Sequence, residues 1–308
     1  MGTRRSAHPD RSWGQALVRY LQILVNGLVT GSIYGLAALG FNLIYGTTKI
    51  FHVAYGSVIM IALYFVTSIS LSGTSVYWAV AVGLACSLAL GGLVYVVLYA
   101  PLEKLGRNRT IIFIAALGLA TLIEAVIPWV YGPQPLTFNL PSLNTVVFIG
   151  KIAISPLDMA AIVAALVLSL TLWAVIKWST FGRQLRAITS NVELGSAMGI
   201  RRGVIVGSVF AVGTAIGFIG LTMQSMSSSV TPVVDVTYTL IAAMIVLGGG
   251  AGSLVGSYLI ALAWGILQNG VTLWVSADWA NVIVYLAFLA LILIRPLGLM
   301  TSTSRRML

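Results

Sequence analysis

Charge is what this chain has least of. Only 8% of its 308 residues are Asp, Glu, Lys or Arg, and only seven are acids. A soluble globular chain carries about 25% charged residues. With 59% hydrophobic residues there is too little polar surface to cover a soluble body of this size. Cysteine is nearly absent too: Cys86, the single one, sits in an apolar run. This excludes a disulfide within the chain and a cysteine metal site. The two histidines, His8 and His52, lie far apart, and no HExxH or GxSxG occurs. Gly150-Lys151 is followed by Ile152, and the Gly248–Ser253 run has no lysine, so no phosphate-binding P-loop is present. The expectation is a protein that is not an enzyme, with no cofactor and no metal.

Long apolar runs dominate instead. They fall at about 21–45, 52–72, 76–100, 111–131, 156–177, 203–224, 236–250, 254–275 and 281–300. Most approach the ~20 residues needed to span a bilayer. The short alternating segments of a membrane β-barrel are missing. The expected fold is all-α: a polytopic transmembrane helical bundle of about 8–9 membrane segments with one or two broken or re-entrant. The run at 236–250 is short, ends in Gly248-Gly-Gly-Ala-Gly-Ser253, and is expected to cross only half way. The first apolar run is too long for a cleavable signal peptide and lacks a clear cleavage site.

The net charge of +10 sits in the tail and loops, which suits topology and anionic lipid better than nucleic acid. Residues 1–20 read as a basic cytoplasmic tail, 21–300 as the membrane domain, and 301–308 as a C-terminal tail. By the positive-inside rule the 101–110 loop, the 178–202 loop and the C-terminus are cytoplasmic, and the 132–155 loop faces outward. The count then conflicts. Three apolar runs separate the tail from the 101–110 loop, yet two cytoplasmic points require an even number of crossings. Either a run is broken or re-entrant, or the first holds two short crossings, or the tail is outside despite its arginines. Asn42, Lys49 and His52, with Gly46 and Gly56 around them, mark the best candidate for a break. Irregular backbone at membrane depth persists only where protein or a wet cavity satisfies it.

The loop at 178–202 is a polar island between apolar runs. It carries Arg183, Arg186, Arg201 and Arg202 against one acid, Glu193. It also holds the signals of a short helix: Asn191 to cap it, Glu193 in its first turn, Gly199 to end it. A short helix at the cytoplasmic face suggests a docking device. Arg183, Arg186, Asn191, Glu193 and Gly199 are the candidate coupling residues.

Candidates for a solute path are Asn42, His52, Tyr55 and Ser57 at the suspected break, with Glu124 and Asp235. For Glu124, inside an apolar run, two readings stand: a pathway or proton-coupling carboxylate, or a hydrated one near the outer boundary marked by Pro128 and Trp129. Asp235 either lines an outer vestibule or caps the 236–250 helix. Ser225–Ser229 is a polar break, loop or lining. An internal echo, Gly27-Leu-Val-Thr-Gly-Ser-Ile-Tyr against Gly203-Val-Ile-Val-Gly-Ser-Val-Phe, fits a structural repeat or ordinary small-xxx-small packing.

Three blocks in order resemble one family. They are Asn26–Gly46, Gly182–Ile200 and Val246–Gly256. The chain is similar to permease subunits of bacterial ABC importers for branched-chain amino acids, of LivH type, over nearly its whole length after about residue 20. That resemblance implies a multi-pass protein of the bacterial inner membrane. It implies as partners a second permease subunit (LivM-like, or a second copy), two cytoplasmic ATPase subunits that contact the island, and a periplasmic substrate-binding protein. The chain departs from the family at His52-Val-Ala-Tyr-Gly-Ser57, where Tyr55 replaces a histidine and Ser57 an acid, and at Leu240, where a lysine is common. The implied cargo is a branched-chain amino acid, or urea, an amide or an organic acid as in relatives. The rival function is an ion-coupled secondary transporter or channel, for which Glu124 is the lone coupling candidate.

Overall fold

The computed structural model describes residues 9–71, 74–106, 108–135, 138, 145–227, 234–295 and 298–299. They form twelve α-helices and one small hairpin. In chain order the helices are α1 (Pro9–Thr48), α2 (Tyr55–Leu71), α3 (Val76–Val94), α4 (Ala100–Lys104), α5 (Arg109–Tyr131), α6 (Pro156–Trp178), α7 (Thr180–Ser190), α8 (Val192–Ala197), α9 (Arg202–Ser227), α10 (Val234–Gly249), α11 (Leu254–Val271) and α12 (Ala277–Ile294). One π-turn, Tyr95–Tyr99, joins α3 to α4 without a break. Strands β1 (Val147–Ile149) and β2 (Ile152–Ile154) pair antiparallel with Val147 opposite Ile154.

Six helices are long and apolar enough to cross a membrane, and three shorter apolar ones join them. This is the polytopic helical bundle expected from composition. The bundle is organised around α1 and α9, each two-thirds buried, while α3, α5 and α6 leave most of their surface outward. Apolar side chains on that outward surface, such as Leu122, Val163 and Leu170, match hydrocarbon rather than water.

Glycine sets how closely the central helices approach. A Cβ on Gly27 would lie 2.7 Å from the Ile266 backbone of α11, and one on Gly31 would lie 2.8 Å from that of Ala261 and Leu262. At the α1–α9 crossing, a Cβ on Gly213 would come within 2.7 Å of the Gly40 carbonyl oxygen. With no hydrophobic drive between helices in lipid, such backbone contact supplies the packing energy.

The suspected break is present. Helix α1 ends at Thr48, Lys49 turns the chain with φ 58°, and residues 50–54 return into the bundle without helix before α2 starts. Ile50, His52 and Ala54 are buried in this stretch. Its backbone is satisfied locally: Ile50 N–H donates to Thr48 Oγ1 at 3.1 Å, and Tyr55 N–H to the His52 carbonyl at 3.1 Å. Protein thus replaces water around the non-helical backbone.

Contacts of α1 relate its described start to the island. Gln22 on α1 hydrogen-bonds the backbone of Ala153 in β2 through both its amide nitrogen, at 2.7 Å, and its oxygen, at 2.8 Å. Helix α6 begins just beyond β2 and delivers the chain to α7 at its far end. The start of α1 and the 178–202 loop therefore lie at opposite ends of the bundle. Three helices, α1, α2 and α3, separate the tail from the 101–110 loop, and the odd count stands. The 101–110 loop and the described C-terminal residues share the island's end: Glu103 meets Arg202, and Leu299 N–H donates to the Gly248 carbonyl at 2.9 Å. The Ser-rich stretch also differs from expectation, since Ser225–Ser227 continue α9. Residues 228–233 lie outside the described residues.

Candidate functional site

The polar island folds as two short helices at a corner. Ser179 ends α6 and opens α7: its hydroxyl donates to the Val175 carbonyl at 2.6 Å and accepts from Gly182 N–H at 3.0 Å. Gly182 is required at that corner, because a Cβ there would sit 2.7 Å from Ile176 Cα. Helix α7 is strongly two-faced. Gly182, Leu185 and Ile188 are buried, while Arg183, Gln184 and Arg186 are exposed. Arg183 Nη1 donates to the Trp178 carbonyl at 3.2 Å, and Arg186 donates to the carbonyls of Ile176 and Lys177. Both guanidiniums thus sit on the carbonyl end of α6, where the dipole favours cations.

Helix α8 has the signals read from sequence. Asn191 Oδ1 accepts from Glu193 N–H at 2.9 Å and from Leu194 N–H at 3.0 Å. Glu193 lies in the first turn, and Gly199 closes the helix with φ 78°, a conformation glycine adopts without strain. Ile200 N–H then returns to the Gly195 carbonyl at 3.2 Å. The tip carries exposed apolar side chains: Val192, Leu194 at 61% and Met198 at 61% exposure. Among the described residues nothing covers them. Sequence reasoning missed α7 and the apolar tip; Phe181, Leu185 and Ile188 at helical spacing were the available signal.

From α8 the chain passes straight into α9. Arg202 grips Glu103 in a two-pronged ion pair, both contacts at 2.9 Å. The corner of α7 and α8 is therefore tied to α6 by two arginines and to α4 by a third.

The second candidate group lies inside the bundle. Asn42, His52, Tyr55 and Ser57 are all at most 1% exposed. Asn42 Nδ2 donates to the Ser253 carbonyl and to Ser257 Oγ, each at 2.9 Å, and its Oδ1 accepts from Gly252 N–H at 2.7 Å. It clamps α1 to the glycine turn between α10 and α11. His52 Nδ1 pairs with Tyr99 Oη at 2.6 Å against the ring of Phe210. Tyr55 Oη donates to the Ala37 carbonyl at 3.0 Å and reaches that of Gly213 at 3.3 Å, at the α1–α9 crossing. Gly56 N–H donates to Thr239 Oγ1 at 2.8 Å, joining the start of α2 to α10. The structure brings His52 and Tyr55 together, with ring centroids 6.2 Å apart, and sets Asn42 at the neighbouring glycine turn. Glu124 sits half-buried on α5, about two turns before Tyr131. Asp235 lies in the first turn of α10, and its side chain is outside the described residues.

Comparisons with known proteins follow this layout. Residues 23–293 match the family described as branched-chain amino acid transport system / permease component. The high-affinity branched-chain amino acid transport system permease protein BraD of Pseudomonas aeruginosa is 27% identical, covering 92% of this chain and 96% of its own length. Its counterpart LivH of Escherichia coli is 24% identical, with 91% and 95% covered. The ribose import permease protein RbsC of Haemophilus influenzae is 26% identical, with 81% and 77% covered. A solved structure, PsaBC from Streptococcus pneumoniae in complex with Fab, shares the fold with a TM-score of 0.51 at 16% identity, covering 93% of this chain and 96% of that one. The match runs from within α1 to the last turn of α12, so this multi-pass membrane protein belongs to the branched-chain amino acid transport permease family.

Proposed function

We propose that the chain is the membrane-spanning subunit of an ATP-driven importer in the bacterial inner membrane. It passes a branched-chain amino acid, or a related small polar solute, between a substrate-binding protein outside and ATPase subunits inside. The observation that carries this reading is the α7–α8 corner. It presents Leu194 and Met198 to the outside of the chain while two arginines and an ion pair fix its back to α6 and α4. A rigid elbow with an uncovered apolar tip is built to receive force from a partner rather than to catalyse. A second permease subunit, LivM-like or another copy, completes the assembly in this reading. Arg183, Arg186, Asn191, Glu193 and Gly199 act by holding the elbow in shape, and Glu193 is also free to face the partner.

The bundle interior supports a role for Asn42, His52, Tyr55 and Ser57 in transmission. Asn42 ties α1 to α11, His52 reaches Tyr99 of the π-turn, and Tyr55 ties the start of α2 to α1 and α9, with Ser57 buried in the first turn of α2, so any tilt of α1 against α9 must move Tyr55. A cargo other than a branched-chain amino acid fits the resemblance's departures at Tyr55, where the family pattern has a histidine, and Ser57, where it has an acid.

The test is co-purification from membranes that also contain the partner subunits. Leu194→Asp with Met198→Asp alters only the tip and should abolish retention of the ATPase while leaving the permease folded. Arg183→Ala with Arg186→Ala should weaken retention and loosen the end of α6. Unchanged retention in both, or solute accumulation that persists without any ATPase and collapses with the proton gradient, would refute the reading.

A further inference from the structure

The two echoing glycine pairs have different fates. Gly27 and Gly31 are seated on the α11 backbone, as above. Gly203 and Gly207 meet no helix backbone. The nearest atom to a Cβ on Gly203 would be Tyr95 Oη, 4.0 Å away, and a Cβ on Gly207 would meet only the Tyr95 ring. They floor a groove of 690 Å³ between α3 and α9 at the docking-loop end of the bundle. The π-turn at Tyr95–Tyr99 forms one wall, and a π-turn locally widens a helix. Val96 at 62% and Val204 at 61% exposure line its open side, facing where the acyl chains lie.

Charge sits at one end of this trough. Lys104, Arg202 and Glu103 line it there, two cations against one anion. Glu103 occupies Nη1 and Nη2 of Arg202, which leaves further N–H donors on that guanidinium. The exposed Lys104 ammonium has no hydrogen bond or ion pair among the described residues. The trough thus has an apolar, small-residue floor and a cationic head, and it opens sideways at the level where helices end and headgroups begin. Protein interface cores are depleted in lysine, whereas basic pockets between helices on this side of a membrane suit anionic headgroups.

We propose that this groove holds an anionic phospholipid, its phosphate on Lys104 and Arg202 and one acyl chain over Gly203 and Gly207. The lipid then packs where a helix would otherwise be needed, and it bridges α3 to α9 beside the Glu103–Arg202 pair. The elbow and this lipid share α9, so headgroup charge becomes a way for the membrane to influence the docking end.

The experiment places photoreactive benzoylphenylalanine at Val204 in the full chain, expressed with its partner subunits in cell membranes. After irradiation, intact masses identify what is attached. The expected adducts are phosphatidylglycerol and cardiolipin, enriched over their share of the membrane. Lys104→Ala should lower them about fivefold against phosphatidylethanolamine adducts. Gly203→Leu, on helical backbone with room for a side chain, should fill the floor and remove the lipid adducts. Attachment to a protein subunit would overturn the proposal. So would lipid adducts at bulk composition that ignore Lys104→Ala. Should Gly203→Leu fail to accumulate, Lys104→Ala decides alone, since that side chain supports no other group.

Discussion

Asn42 and Gly252 are joined by a 2.7 Å hydrogen bond, the side-chain oxygen of one accepting from the backbone N–H of the other. The same amide donates to Ser253 and Ser257. One side chain thus closes the irregular turn between α10 and α11 onto α1, and Gly46 fits because a Cβ there would already be 3.0 Å from Gly252 Cα. Asn42→Ala should leave the buried Ser257 hydroxyl without this donor, costing about 1–3 kcal/mol, and free the part-buried Gly252 N–H and Ser253 carbonyl. The check is the thermal unfolding midpoint in detergent, which should fall clearly below wild type. Asn42→Asp keeps the acceptor for Gly252 but loses both donors, and should fall as well.

Gly199 is in demand for its backbone alone. Its φ is 78°, and a Cβ added there would meet nothing within 4 Å. Gly199→Ala should therefore cost about 1–2 kcal/mol locally, from the left-handed conformation and not from a clash. Gly199→Asn should recover most of it. Proteolysis of the 190–202 stretch should quicken in the alanine variant and return toward wild type in the asparagine variant. ATPase retention should follow the same order.

What is legible in the sequence divides along physical lines. The α8 signals are legible because capping is a matter of four or five neighbouring residues: Asn191, Glu193 and Gly199 each act within their own turn. The break after Thr48 is legible because Lys49 and His52 interrupt an apolar run, and polar groups at depth need a reason. The partners of Asn42 are not legible, since Ser253 and Ser257 lie more than two hundred residues away. Nor is the use of Arg183 and Arg186, because an exposed arginine beside a helix end looks the same in sequence whether it faces a partner or folds back on carbonyls. Nor is the contact between Gln22 and Ala153 legible, which brings the early part of α1 beside β2 from 131 residues away.

The α1–α9 crossing admits no side chain at Gly213. A Cβ there would stand 2.7 Å from the Gly40 carbonyl oxygen and 2.8 Å from Ile44 Cγ1. Gly213→Leu should separate the two central helices, costing at least the ~1–3 kcal/mol typical of overpacking. Tyr55, which reaches the Gly213 carbonyl, should lose that contact. Gly118→Leu on α5, with nothing within 4 Å of its Cβ, serves as the matched control and should leave accumulation and unfolding unchanged.

Glu103 and Arg202 give a test by exchange. The pair is partly exposed, at 15% and 34% of their side chains, so its net worth is about 1 kcal/mol rather than that of a buried bridge. Glu103→Gln should lower the unfolding midpoint modestly and reduce uptake driven per ATP hydrolysed more than it reduces hydrolysis itself. The reciprocal exchange, Glu103→Arg with Arg202→Glu, should restore coupling that either single change impairs. Single and double variants behaving additively would show that the two side chains act independently.

The two ends of the bundle can be told apart chemically. Leu17 on α1 and Leu194 on α8 are both exposed, at 62% and 61%, and neither is in the packed core. In a Cys86→Ser background, Leu17→Cys should react with a membrane-impermeant maleimide applied to intact spheroplasts, and Leu194→Cys should react only in inverted vesicles. Positive-inside bias opposes this arrangement, because the sequence before α1 and its first turns are rich in arginine. The opposing term is larger: α1, α2 and α3 cross three times between the tail and the Glu103 loop, and inverting the tail alone would require pulling Gln22 from Ala153 and one helix from the bundle. Labelling of both cysteines from the same side would mean that α1 does not traverse the membrane as a single span.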